Sequence, residues 1–242
     1  MGGAAQWDPQ RDAFDGLIAP DLPGFGANAH LPAIDSIPGF AAWVLDWLAQ
    51  QGIERFDLLG HSMGGMIVQD MTDLAPDRVN RLILYATGAV GVLPGRFESI
   101  ATSKRRASED GFEPTARRIA ATWFLDRENA PAYGFCADIA AQSAPGAMLA
   151  GFDAMHGWRG DDRLDGITCP TLVLAGDHDR TYSWALTEQL WQNIPGAQLA
   201  VIPGCAHAVH LEKPALFNAR LAEFLAYPAS TSSSVADRMP TI

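Results

Sequence analysis

Short apolar runs alternate along the chain with stretches whose apolar residues recur at helical spacing. The runs have strand length and end in Gly- or Pro-containing turns; they are "FDGLIAPD" (14–21), "RFDLLG", "VNRLILYATG", "TLVLAGD" and "AQLAVIPG". Four amphipathic helices are predicted between and after them, in "AAWVLDWLAQQG", "GGMIVQDMTDLAP", "SWALTEQLWQNIPG" and "KPALFNARLAEFLAYP". Strands that alternate with helices predict an α/β fold with a mostly parallel sheet.

Residues 92–165 interrupt this alternation. They include the helical stretch "PTARRIAATWFLD" and further Ala-rich helical sequence, with no clear strand. We therefore expect an α/β core formed by residues 1–91 and 166–228, with a helical cap at 92–165. The Ser-rich tail at 229–242 is expected to be disordered.

Composition narrows the class of protein. The 242 residues carry a formal net charge of -11, which disfavours nucleic acid and anionic membranes as partners. The three cysteines form no disulfide framework and favour a reducing compartment. No apolar run is long enough to span a bilayer, and no secretory signal is visible. We expect a soluble cytoplasmic protein.

The clearest chemical signal is "GHSMG" at residues 60–64, between a predicted strand and a predicted helix. This G-x-S-x-G pattern, in that context, is typical of a nucleophile elbow. A sharp turn there exposes the hydroxyl of Ser62 at the carboxyl edge of the sheet. The N-terminus of the next helix favours developing negative charge beside it. Ser62 is the predicted nucleophile.

A serine nucleophile needs a base, and the base needs a group to orient it. Catalytic groups in open α/β sheets lie just beyond the carboxyl ends of strands. His207 follows the last predicted strand, and Asp177 and Asp179 follow the one before it. The order Ser62, Asp179, His207 is that of G-x-S-x-G hydrolases.

The chain resembles α/β-hydrolase fold enzymes over nearly all of its length, up to about residue 227. The resemblance rests on "APDLPGFG", "GHSMGGM", "APDRVNRLILY", "CPTLVLAGDHDR" and "IPGCAHAVHLEKP". It implies that Asp179 is the acid and His207 the base, leaving Asp177 as a turn residue and His210 at the surface. Ala206 departs from the family pattern, which usually has Gly before the histidine.

The resemblance also implies a substrate class and a pocket. The main-chain N–H of Met63 would be one oxyanion donor. The cap sequence is similar to that of enol-lactonases such as 3-oxoadipate enol-lactonases, which favours a small carboxylic ester or lactone. Trp123, Met155 and Trp158 are candidate pocket residues. The alternative is a carbon–carbon bond hydrolase of meta-cleavage products, whose members commonly have Asn in place of His61.

Two other patterns are weaker. "GFGANA" (24–29) matches a dinucleotide fingerprint, but its first Gly lies beyond "DLP" and Pro32 follows where a helix should run. Asp177, His178, Asp179, His207 and His210 include metal-ligand types without a recognised ligand spacing. We expect neither a cofactor nor a metal, and the expected partner is a small-molecule substrate.

The start of the chain, "MGGAAQW", resembles the second part of the family's oxyanion loop. The family's first three strands would then be absent, together with one oxyanion donor. On this interpretation the chain is truncated, and residues 14–21 lack a partner strand or pair directly with "RFDLLG". Backbone groups of Gly2 or Gly3 would partly replace the donor. A second alternative is therefore a poorly active fragment that acts at most as a binding module.

Overall fold

The computed structural model describes residues 2–226, which form four strands, ten α-helices and five short 3-10 helices. The strands are β1 (Phe56–His61), β2 (Val79–Tyr85), β3 (Thr171–Gly176) and β4 (Gln198–Ile202). The helices are α1 (Asp8–Arg11), α2 (Ile37–Gln50), α3 (Met63–Leu74), α4 (Ile100–Glu109), α5 (Phe112–Ala121), α6 (Tyr133–Ala141), α7 (Pro145–His156), α8 (Trp184–Asn193), α9 (Val209–Glu212) and α10 (Pro214–Leu225).

The four strands form one parallel sheet in the order β1-β2-β3-β4. Helix α3 connects β1 to β2, and α8 connects β3 to β4. The carboxyl ends of all four strands therefore lie at one edge. The α/β fold and four of the five predicted strands are confirmed.

Side chains of the strands point alternately to the two faces of the sheet, and both faces are buried. Leu82 and Leu84 of β2 pack in a core shared with α2, α3 and α8. Ile83 and Tyr85 point the other way, into a core completed by α10. Helices cover both faces, which keeps β2 in the centre of the fold.

The prediction of a strand at residues 14–21 is wrong. The segment forms turns, with Gly16 at φ +78° and a Leu17 N–H that donates to the Phe14 carbonyl. Ile18 is 55% exposed, so the segment is not the buried strand that its composition suggested. A strand persists only when its backbone groups find partners. This segment pairs neither with β1 nor with another strand, and β1 is one of the two edge strands within the described residues.

Helices α4 to α7 occupy the interval between β2 and β3, and no strand lies there in the described chain. A single bridge between Val90 and Arg159 joins the two ends of this interval. The helical character predicted for 92–165 is confirmed. The expected end of the core at 228 and the Ser-rich tail at 229–242 fall outside the described residues. Within residues 2–226, no helix has the length and apolarity needed to cross a membrane.

Candidate active site

Ser62 lies on a strained turn between β1 and α3. Its φ and ψ are 57° and -123°, a region that residues with a side chain rarely adopt. Its N–H donates to the Tyr85 carbonyl at 3.0 Å, and its carbonyl accepts from the Thr87 hydroxyl at 2.7 Å. These two hydrogen bonds hold the strained turn against the end of β2, as expected for the predicted elbow.

Two glycines allow this turn to pack tightly. A Cβ on Gly60 would lie 2.3 Å from the carbonyl oxygen of Gly64, and one on Gly65 would lie 2.4 Å from Thr87. A Cβ on Gly64 would meet nothing within 4 Å. The close approach therefore depends on Gly60 and Gly65, whereas the motif had suggested Gly60 and Gly64.

His207 and Asp179 are brought together from the ends of β4 and β3. Nδ1 of His207 lies 2.8 Å from Oδ2 of Asp179, and both side chains are almost fully buried. The other carboxylate oxygen accepts from the N–H groups of Thr181 and Tyr182, which fixes the orientation of the carboxylate. A carboxylate acceptor places the ring proton on Nδ1, so that Nε2 keeps its lone pair.

Ser62 and His207 line the same cavity, of about 590 Å³. Nε2 of His207 is buried and has no hydrogen-bond partner among residues 2–226. The Tyr182 ring stacks on the His207 ring, with a centroid separation of 5.7 Å. The Ser62 hydroxyl therefore makes no standard hydrogen bond to His207 in this arrangement, a looseness common before substrate binds.

Asp177 and His210 lie close in sequence to Asp179 and His207 and are of the same residue types, but their surroundings differ. Asp177 accepts from the N–H groups of Gly204 and Cys205 at 2.7 and 3.3 Å, which fits its expected role as a turn residue. His210 is only 1% exposed, so the expectation of a surface position is wrong. It packs against the Trp7 ring at 4.6 Å because the chain after His207 turns into the core.

His210 belongs to a group of aromatic residues behind His207, consisting of His61, Tyr85 and His210. The Tyr85 hydroxyl lies 2.9 Å from the His207 carbonyl oxygen and 3.0 Å from Nδ1 of His210. Nε2 of His61 lies 3.1 Å from the same carbonyl. These three contacts are satisfied together if Tyr85 and His61 donate to the His207 carbonyl oxygen and Nδ1 of His210 donates to Tyr85. Nε2 of His210 is buried and has no hydrogen-bond partner within residues 2–226.

Burial keeps this group uncharged. It lowers the pKa of His210 to about 3, and the proximity of His207 acts in the same direction. Burial also lowers the pKa of His61 well below its usual value, reinforced by His207 and His210. The pKa of Tyr85 is raised by burial. Sequence reasoning missed this group, because nothing in the spacing of these residues indicates that they meet.

The cap is tied directly to the loop that carries His207. The Glu212 carboxylate accepts from the N–H of Ala206 and from that of Leu125, both at 2.6 Å. The Ala208 N–H donates to the Trp123 carbonyl at 2.8 Å. Glu212 thus holds the loop before His207 against the cap.

The predicted pocket residues separate into two groups. Trp123 lines the cavity of Ser62 and His207, and its ring lies 6.1 Å from that of His207. Met155 lines a smaller adjoining cavity that also reaches Ser62. The expectation for Trp158 needs correction, because its indole N–H donates to Asp70 at 3.0 Å and it lines neither cavity.

The predicted oxyanion donor is positioned at the start of α3. Met63 is the first residue of that helix, where the N–H groups have no intrahelical acceptor. Gly2 and Gly3 line the same large cavity as Ser62, at the place where a substitute donor was expected. Their participation stays a prediction. No group of three or more His, Cys, Asp or Glu within residues 2–226 is arranged to hold a metal.

Comparison with known proteins identifies the family of this chain. A model described as "Alpha/beta hydrolase family" matches residues 2–220. A putative carbamate hydrolase RutD from Variovorax paradoxus is 30% identical over 93% of this chain and 88% of its own. The RutD of Agrobacterium fabrum is 27% identical over 93% and 89%. Esterase YbfF from Escherichia coli is 25% identical over 82% and 78%.

Solved structures agree with the fold. An enol-lactonase from Burkholderia xenovorans has a TM-score of 0.83 at 24% identity and covers 93% of this chain and 88% of its own. A thermophilic esterase from Thermogutta terrifontis, solved with malate bound, has a TM-score of 0.82 at 25% identity, with coverages of 93% and 85%. The fold of this chain is therefore shared with solved structures of known hydrolases.

Proposed function

The chain belongs to the alpha/beta hydrolase family and is a hydrolase, and from this premise we propose that it cleaves a small carboxylic ester or lactone. The nucleophile is Ser62, the base is His207 and the orienting acid is Asp179. The observation that carries the proposal is the 2.8 Å contact of buried His207 with Asp179, together with the cavity that His207 and strained Ser62 both line.

The reaction proceeds in two acyl-transfer steps. Nε2 of His207 takes the hydroxyl proton of Ser62, whose Oγ bonds to the substrate carbonyl carbon. The tetrahedral intermediate then breaks its bond to the leaving alkoxide, which takes the proton from His207. Water next gives a proton to His207 and attacks the acyl-enzyme. Collapse of the second intermediate releases the acid and restores the Ser62 hydroxyl.

Charge develops at two points in this sequence. The oxyanion accepts from the N–H of Met63, and the positive N-terminal end of α3 supports it. The imidazolium of His207 is stabilised by the Asp179 carboxylate. Because Nδ1 is held by the carboxylate, the proton can only be exchanged at Nε2, on the cavity side.

A carbamate is the second candidate substrate class, favoured by the curated relatives that are named putative carbamate hydrolases. The same attack on a carbonyl carbon would cleave it. We propose a small-molecule substrate in either case, with no nucleic acid or membrane partner and a cytoplasmic location. The net charge of -11 supports this choice of partner.

A substrate panel tests the proposal. Purified full-length chain is assayed with short acyl esters, lactones, carbamates and a vinylogous diketone of the meta-cleavage type. We expect turnover of esters or lactones and its loss in Ser62→Ala. Preference for the carbamate or the diketone would replace the proposed substrate class while retaining the nucleophile.

The matched control is Ser108→Ala, because Ser108 is exposed on α4 and only contacts the Lys104 carbonyl at 3.3 Å. This variant should retain wild-type turnover. Equal loss in both variants, or retention of turnover in Ser62→Ala, would contradict the assignment of the nucleophile.

A further inference from the structure

The main chain of a short cap stretch, Trp123–Leu125, contacts both core loops that carry the proposed acid and base. The stretch lies just after α5, and the Phe124 side chain within it is completely buried. Four hydrogen bonds join its main-chain groups to residues beyond β3 and β4. Because buried main-chain groups need partners, these bonds fix the cap stretch on the core.

Two of the four bonds come from the loop of the base. The N–H of Ala208 donates to the first carbonyl of the cap stretch at 2.8 Å. One oxygen of Glu212 accepts from the last N–H of the stretch at 2.6 Å, and its other oxygen accepts from the N–H of Ala206 at 2.6 Å. Ala206 and Ala208 are the neighbours of His207 in the chain. The base is therefore held to the cap on both flanks.

The other two bonds come from the loop of the acid. Arg180 directly follows Asp179. Its Nη1 donates to the Phe124 carbonyl at 2.8 Å, and its Nη2 donates to the Leu125 carbonyl at 3.2 Å. Two nitrogens of one planar guanidinium thus bind two successive carbonyls, which fixes the direction of the cap stretch as well as its distance.

The cap stretch therefore links the acid to the base by a second route. The first route is the 2.8 Å contact between His207 and Asp179. The second runs from Arg180 through the stretch to Glu212. Neither Arg180 nor Glu212 lines the two cavities that reach Ser62, so neither is placed to touch a substrate there.

We propose that Glu212 and Arg180 are positioning residues, which use the cap stretch Trp123–Leu125 to hold His207 in line with Ser62 and Asp179. The cap is then part of the catalytic framework as well as a wall of the pocket. This inference rests on the proposed function, because it concerns the same three residues. It extends that function to two groups that act without touching the substrate.

Glu212→Gln tests the base side of the link. An amide has one acceptor oxygen, and its NH₂ group would face the second N–H, so one of the two bonds is lost. A shift of about 1 Å in a catalytic group costs up to about 100-fold, and we expect kcat to fall about 10- to 100-fold. KM should change by less than about threefold, so that kcat and kcat/KM fall together.

Two further variants separate position from charge. Glu212→Asp keeps the negative charge, but its shorter side chain cannot reach both N–H groups, so its kcat should fall about as far as that of Glu212→Gln. Wild-type kcat in Glu212→Asp would contradict the positioning role. Glu223→Gln is the control, because Glu223 is exposed on α10 and pairs with Arg220; its kinetics should match the wild type.

Arg180→Lys tests the acid side and retains the charge beside Asp179. An ammonium group cannot bind both carbonyls in the paired geometry, so kcat should fall about 3- to 10-fold. If both residues act through one link, breaking it at either end has most of the effect. The double variant should therefore lose less kcat than the product of the two single losses. Losses that multiply would contradict a shared link.

The labelling rate of Ser62 by a fluorophosphonate tests the inference without any substrate. In Glu212→Gln this rate should fall with kcat, while the final label stays near one per folded chain; a folding defect would instead lower the final label. A wild-type rate in Glu212→Gln would overturn the inference and leave the nucleophile in place. Absence of label on Ser62 in the wild type would refute the proposed function and the inference together.

Discussion

His207 is held from two sides by very different groups. On the ring side, Asp179 lies 2.8 Å from Nδ1, and His207 lines the same cavity as Ser62. On the main-chain side, the hydroxyl of Tyr85 and the ring of His61 contact the His207 carbonyl oxygen at 2.9 and 3.1 Å. The ring is held by a carboxylate, whereas the main chain is held by hydrogen bonds from neutral side chains.

The contacts on the ring side bear on the reactivity of His207, whereas those on the main-chain side bear on its position. A carboxylate on the ring side stabilises the imidazolium that forms during acyl transfer. A charged imidazole on the main-chain side would oppose it, and burial keeps His61 and His210 neutral by lowering their pKa values. We infer that substitutions on the ring side lower turnover most, and that substitutions on the main-chain side mainly lower stability.

The largest effect is expected for Asp179→Asn. The amide can donate to Nδ1, which favours the ring tautomer with its proton on Nε2 and removes the base. The corresponding change in a serine protease lowers kcat about 10⁴-fold, and a loss of about 10³- to 10⁴-fold is expected. Steady-state kinetics with the best substrate measures it. A loss below tenfold would mean that Asp179 does not orient the base.

Tyr85→Phe tests the main-chain side. It removes a buried hydroxyl that contacts His207 and His210, so the free energy of unfolding should fall by about 1–3 kcal/mol. Turnover at a temperature where the variant is folded should fall less than tenfold. Urea unfolding and kinetics measure the two effects. Tyr133→Phe is the control, because that hydroxyl makes only a 3.4 Å contact with the Arg117 carbonyl.

The neutral histidines make stability depend on pH. The pKa of His210 is lowered from 6.5 to about 3 in the folded state, so below pH 6.5 the unfolded chain binds a proton that the folded chain does not. The contribution of neutral His210 to the free energy of unfolding is therefore complete above pH 6.5 and is lost as the pH falls below that value. Between pH 6.5 and 5 the loss from His210 is about 2 kcal/mol. Urea unfolding of His210→Phe should show a smaller slope over this range, and an unchanged slope would contradict the assignment.

The smallest effect is expected for Asp177→Asn. This residue lies two positions before Asp179, but its carboxylate contacts the N–H groups of Gly204 and Cys205 and is partly exposed. Stability should fall by less than about 1 kcal/mol and kcat by less than twofold. Kinetics measured beside Asp179→Asn provides the comparison. A large loss of kcat would shift the role of the acid toward Asp177.

The parts of the site that follow from local chain geometry could be predicted from the sequence. The motif around Ser62 defines a strand, a turn and a helix, and the strand ends place Asp179 and His207 at one edge. The strand expected at residues 14–21 does not form, because strand formation there depends on contacts outside the local sequence. An apolar run forms a strand only when a neighbour pairs with it, and local sequence does not show whether one does.

Contacts between distant segments could not be predicted. Tyr85 reaches His207 from 122 residues away, and Glu212 reaches Leu125 from 87. Trp158 and His210 were misplaced because their type did not reveal whether a buried partner was available.

Covalent labelling of the nucleophile tests the central claim most directly. The protein is incubated with a fluorophosphonate that carries no carboxylate, and the modified residue is identified by peptide mass spectrometry. The account predicts one label per chain on Ser62, loss of hydrolysis in proportion to labelling, and no label in Ser62→Ala or His207→Gln. Hydrolysis that survives complete labelling of Ser62, or labelling of another residue that parallels the loss of activity, would contradict it.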